Sequence, residues 1–179
     1  MKTKNAYQWL SEHERAFLDL KQQLSSPPTL QNFDPARDTE LDTDASRING
    51  LGFILRQKHG DEWKVITCGS RFITDTERRY SMVELELLGV VWALHKCRVY
   101  LQGMKNFKVI TDHRPLESIL NKKLLSEIES PRLQRLKEKT LPFGNFRTIW
   151  RSGKKHVLAD ALSRAPVEKP TSEDLIIDD

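Results

Sequence analysis

Four acidic residues carry the chemistry that this sequence offers. Asp44 closes the alternating stretch Leu41-Asp42-Thr43-Asp44, and Asp112 follows Lys108-Val109-Ile110-Thr111. Glu86 lies inside the apolar run from Met82 to Leu101, and Asp160 sits among small and apolar residues in Leu158-Ala159-Asp160-Ala161-Leu162. Side chains alternate along a strand, so Asp42 and Asp44 share one face and Leu41 and Thr43 the other. An acid on a sheet face that a helix covers is costly unless a cation or hydrogen bonds satisfy it. Open α/β sheets place ligands at strand ends, where carboxylates of neighbouring strands can share a divalent ion. The apolar run also offers Glu84, but residues two apart point about 200° apart on a helix, so one site takes only one of them. Glu86 lies in line with Gly89, Val90, Ala93 and Cys97, a small-residue stripe suited to close approach to a sheet; Glu84 lines up with Leu88, Val91 and His95. Glu86 is therefore the favoured candidate. Taken singly, each acid reads more readily as a turn, cap or solvated group. The four together leave the two readings evenly matched.

The elements that must position them follow from periodicity. Trp9 to Leu24 places Trp9, Ala16, Phe17, Leu20 and Leu24 on one helical face, with Ser11 and Glu14 at capping-box spacing and Ser25-Ser26-Pro27-Pro28 as a stop. From Thr39 the period becomes two. Three strands, broken by turns at Asn49-Gly50 and Gly60-Asp61, read as an antiparallel meander. Met82 to Leu101 predicts one long buried helix, and Lys108 to Thr111 a strand parallel to a neighbour. Pro115 to Leu125 and Pro131 to Lys139 predict helices with proline in the first turn. Asn145 to Trp150 predicts a fifth strand, and Val157 to Ser163 a short helix. The order predicts an α/β domain with a mixed sheet and helices on its faces.

Composition narrows the class. The 179 residues hold 29 Lys and Arg against 25 Asp and Glu, a net +4. Residues 165–179 contribute one base and five acids, leaving 28 bases and 20 acids on the rest, a body of +8. That sign favours polyanionic partners, though weakly. No apolar run is long enough for a membrane span, and the polar N-terminus has no signal core, so the expected location is intracellular rather than secreted. Cys68 and Cys97 form no CxxC or Cys/His cluster, which argues against a disulfide framework or structural zinc.

Thr43-Asp44-Ala45-Ser46, Tyr80-Ser81 followed by Glu84-Leu85-Glu86-Leu87-Leu88-Gly89, Thr111-Asp112-His113, and Ala159-Asp160-Ala161-Leu162-Ser163-Arg164 occur in one fixed order. This set, with the stretch from Trp9 to Leu30, resembles the ribonuclease H domain of reverse transcriptases from Ty3/gypsy-type retrotransposons and the segment joining it to the polymerase. The resemblance spans residues 9–165. It implies an RNase H-like fold with a five-stranded mixed sheet whose first three strands are antiparallel. The implied parts are a linker over 1–38, the RNase H-like domain over 39–165, and a disordered acidic tail over 166–179. It also implies endonucleolytic cleavage of the RNA strand of RNA–DNA hybrids during reverse transcription. The implied metal ligands and catalytic residues are Asp44, Glu86, Asp112 and Asp160, holding two Mg²⁺ ions for which Mn²⁺ can substitute. Asp44 would bridge the ions, with Glu86 and Asp112 on one side and Asp160 on the other.

The implied partners are the hybrid duplex, a polymerase domain upstream in the same polyprotein and a dimer partner, with no membrane. The implied setting is a cytoplasmic virus-like particle or the nucleus. Relatives have a histidine on a mobile loop before the last acid. Here His156 stands four residues before Asp160, at the start of the last helix, so an auxiliary catalytic role competes with packing or capping. His113 reads as support for Asp112. Arg47, Arg71, Arg114, Lys154 and Lys155 are candidates for nucleic-acid backbone contacts against the plainer reading of solvated charge. Trp9, Trp63, Trp92 and Trp150 read as core. Two other functions fit the fold: a non-catalytic spacer or dimerisation domain of a reverse transcriptase, and a domesticated hybrid-binding module.

Overall fold

Alternation from Thr39 onward yields three long strands in a computed structural model that describes residues 9–25, 31–144 and 146–176, with side chains except at 20–25, 155, 175 and 176. The expected Ser26-Pro27-Pro28 stop, the Leu20 and Leu24 side chains, Asn145 and the Lys155 side chain lie outside that description. The strands are β1 (Thr39–Ala45), β2 (Gly50–His59) and β3 (Glu62–Phe72), joined as the antiparallel meander the sequence predicts. Gly60 turns β2 into β3 with φ +62°, a conformation side chains other than glycine resist. Two more strands, β4 (Phe107–Thr111) and β5 (Phe146–Trp150), add parallel to β1 in the order β3-β2-β1-β4-β5. The sheet is mixed and five-stranded, as expected.

Helices cover both faces. On one lies α2 (Met82–Lys96), whose Leu85, Leu88 and Trp92 pack with Leu41, Leu51, Phe53 and Leu55 in the main core. On the other lies α6 (Val157–Arg164). Gly52 of β2 faces α6 so closely that a Cβ there would lie 2.5 Å from the Ser163 nitrogen. The chain begins with α1 (Ser11–Ser25), and α4 (Arg114–Asn121) and α5 (Pro131–Glu138) lie between β4 and β5. The expected Ser11–Glu14 capping box is replaced by another arrangement. His13 Nδ1 accepts from the Leu10 N–H, while Glu14 accepts from the Trp9 indole, because the helix starts one residue earlier than that box requires.

Three expectations change. The apolar run is not one helix: the backbone breaks at Cys97, and α3 (Arg98–Leu101) restarts the winding so that Leu101 enters the core while Val99 stays 78% exposed. The acidic segment after Pro166 is ordered as far as it is described. Its Glu168 pairs with the free edge of β3 through Phe72 N–H···O (2.8 Å), and α7 (Ser172–Ile176) follows. Asp174 of α7 is buried, accepting from the Trp92 indole at 2.8 Å and pairing with Lys96 at 3.3 Å. Of the four tryptophans only Trp92 is buried; Trp63 is half-buried beneath Arg56, and Trp9 and Trp150 are exposed.

Candidate active site

Parallel pairing of β1 with β4 puts Leu41 level with Val109 and Asp42 level with Ile110, so Asp44 and Asp112 leave the same end of the sheet side by side. Burial of the Leu85–Leu88 face turns Glu86 toward that end, where it is itself buried, and the Ala45 backbone opposes the rise in its pKa. One oxygen from each of Asp44, Glu86 and Asp112 lies within 4.8 Å of the others. Glu84 points elsewhere: it caps α2 through Ser81 and meets Ser130 and Arg132. The choice of Glu86 over Glu84 therefore agrees with the geometry.

No ion pair to Lys or Arg holds the trio among the described residues. Asp42, on the same face of β1, is held by two guanidiniums, Arg56 at 2.8 Å and Arg151 at 2.8 Å. Among the described residues, Asp44 receives only the Ser163 hydroxyl. Burial pushes the Asp44 carboxyl above the usual carboxylate range; Ser163 opposes that shift, and Asp112 and Asp160 add to it. Burial, then Asp44 and Asp112, push Glu86 well above its ordinary value, and Glu86 Oε2 is buried without a hydrogen-bond partner. Three hard oxygen donors with an unmatched acceptor fit a divalent cation.

Asp160 lines the same open cleft, a space of about 440 Å³ that also includes Arg47, His113 and Arg164. It is outside the close trio, and its carboxylate is held by Arg164 through Nε and Nη2, both at 2.7 Å. Gly153 presses against Asp112, since a Cβ there would lie 3.1 Å from Oδ2. The Trp150 indole donates to the Asp112 carbonyl at 2.9 Å, and Arg114 lies over that ring.

The remaining candidates divide. Arg47 is exposed on the cleft, Arg114 is exposed beside Asp112, and Lys154 is exposed on the Gly153–Lys155 turn. Arg71 is a correction: it is 1% exposed, holds Glu77 with two hydrogen bonds at 2.7 and 2.9 Å, and lies over Trp92, so no phosphate can reach it. His113 is half-buried at the start of α4, where burial pulls its pKa below the ordinary range and Asp112 opposes. His156 is buried beside the cleft rather than in it, with Nε2 2.8 Å from the Thr43 carbonyl. Sequence reasoning assigned nothing to Ser163 or Arg164. Their signal was spacing, three and four residues after Asp160, which returns both to its face of α6.

A family model for the RNase H-like domain found in reverse transcriptase matches residues 34–143, which include Asp44, Glu86 and Asp112. The chain belongs to this family. This reverse-transcriptase RNase H-like domain is 35% identical over 164 residues to the Retrovirus-related Pol polyprotein from transposon 412 of Drosophila melanogaster, covering 91% of this chain. It is 34% identical over 178 residues to the Transposon Tf2-3 polyprotein of Schizosaccharomyces pombe, covering 95% of this chain. In both cases it spans 13% of the relative's length. The RNase H-like domain also shares its fold with RNase H1 from Halobacterium salinarum, with TM-score 0.51, 17% identity, and coverage of 70% of this chain and 92% of that one. The Ty3/gypsy-type affinity expected from the motifs is thus present in its relatives.

Proposed function

We propose that this domain is a divalent-metal-dependent ribonuclease H that cleaves the RNA strand of RNA–DNA hybrids during retroelement reverse transcription. The observation that carries the reading is the Asp44–Glu86–Asp112 cluster, with ligand atoms within 4.8 Å of one another and no ion pair to Lys or Arg among the described residues. Asp44, Glu86, Asp112 and Asp160 would hold two Mg²⁺ ions. Bound there, such ions supply a nucleophile at neutral pH and neutralise charge on the leaving oxygen of a phosphodiester. The chain's own residues prepare that site. Ser163 orients Asp44, and the Trp150 indole fixes the backbone at Asp112. Arg164 holds Asp160 at the cleft's rim. Arg47, Arg114 and Lys154 surround the cleft and suit backbone phosphates, while the 2′-hydroxyl and helix shape distinguish RNA from DNA. The setting is intracellular, within a polyprotein that carries a polymerase upstream.

The test is a hybrid labelled on either strand, incubated with Mg²⁺ or with chelator. Wild type should cut only the RNA strand, only with metal, leaving 3′-hydroxyl and 5′-phosphate ends. Asp44→Asn should lower the rate by a factor of about 10² or more. Binding of hybrid without cleavage would contradict the nuclease and favour the non-catalytic module.

A further inference from the structure

We propose that His156 is a positioning residue, a clip whose Nε2–H to the Thr43 carbonyl sets the spacing between the two halves of the acidic cleft. The inference rests on the cleft being a divalent-cation site. His156 is 3% exposed, and its ring turns away from the cleft toward β1. A backbone carbonyl only accepts, so the 2.8 Å contact requires the proton on Nε2. Thr43 immediately precedes Asp44. On its other side the His156 carbonyl accepts from Asp160 N–H at 3.3 Å, the first-turn bond of α6. One residue thus bridges the strand carrying Asp44 and the helix carrying Asp160.

The same loop is anchored at two further points. Arg151 ion-pairs with Asp42 and Glu40, each at 2.8 Å, and its N–H donates to the Thr111 carbonyl at 2.9 Å, next to Asp112. His156 N–H closes the turn onto the Gly153 carbonyl at 3.0 Å, and Gly153 itself abuts Asp112. Fixed in this way, the imidazole cannot exchange protons with a phosphodiester in the cleft. It acts through Asp160 and Asp44.

The test compares wild type, His156→Ala and His156→Gln, the last keeping an N–H donor at a similar reach. Mg²⁺ and Mn²⁺ binding is measured by calorimetry, and the histidine tautomer by ¹⁵N NMR of the whole chain. Wild type should show an Nε2-protonated ring with slow exchange. His156→Ala should bind the ions about tenfold or more weakly, and His156→Gln should recover most of that loss. A solvent-exchanging Nδ1-protonated ring, or unchanged ion binding in His156→Ala alongside a lost limb of the pH–rate profile, would overturn the clip in favour of a proton relay. Wild type that binds no divalent ion would instead overturn the reading of the cleft itself.

Discussion

The contrast between Asp42 and Asp44 shows what a buried carboxylate needs. Two residues apart on one face of β1, the first has two arginines and the second a single hydroxyl. Asp44 and Glu86 hold protons to higher pH in the fold than in the unfolded chain, so the native state binds more protons. Their contribution is least unfavourable below the ordinary carboxylate range, and stability falls as pH rises through their raised values. Metal-free Asp44→Asn should therefore unfold later than wild type at pH 7, with the difference shrinking as pH falls below the ordinary carboxylate range. Mg²⁺ should raise the melting temperature of wild type and not of the variant; calorimetry across pH checks both. Arg71 belongs to the other kind of charged group. Arg71→Ala strands Glu77 in the interior and should cost about 3–5 kcal/mol in denaturant unfolding, whereas Arg47→Ala should leave stability alone and weaken hybrid binding. The sequence made Asp44, Glu86 and Asp112 legible because strand alternation and helix facing are local rules. It did not distinguish Arg71 from Arg47, because burial of a charge depends on a partner brought in by tertiary structure.

Among the elements, the meander of β1 to β3 and the existence of the later strands and helices were readable from period and proline placement, whereas the order in which the strands assemble was not. The break at Cys97 was not readable either, although His95-Lys96 and Arg98 interrupt the apolar run there, because a single polar turn is equally compatible with a helix that continues. The segment after Pro166 depends on tertiary context too, since acidic, proline-punctuated composition by itself favours disorder. Here a strand edge and one indole N–H recruit it instead, Glu168 pairing with β3 and Asp174 with Trp92. Asp174→Ala should leave the Trp92 N–H unpartnered and cost about 1–3 kcal/mol, read from thermal unfolding with the buried indole's fluorescence as probe. The Thr171 and Lys96 hydrogen bonds hold the Asp174 carboxyl below its usual range despite burial. Its stabilisation is therefore present above the ordinary carboxylate pKa and lost as pH falls through the lowered value.

At the scale of the molecule, the acidic segment is no free countercharge, because part of it is packed on the body and Asp174 is paired with Lys96. The useful electrostatics is local: an acidic cleft at the carboxyl ends of β1 and β4, with Arg47, Arg114 and Lys154 around it. A duplex laid across that surface would bring a phosphodiester to the acids while its neighbouring phosphates meet the bases. If the proposed nuclease activity holds, the cleft acids, and not acids nearby, perform cleavage. Hybrid cleavage in Mg²⁺ by wild type, Glu86→Gln and Glu84→Gln tests it most directly, since the two glutamates sit on one helix two residues apart. Wild type and Glu84→Gln should cut the RNA strand at comparable rates, with Glu86→Gln slower by a factor of about 10² or more. An inert wild type, or loss of cleavage in Glu84→Gln with Glu86→Gln still active, would contradict it.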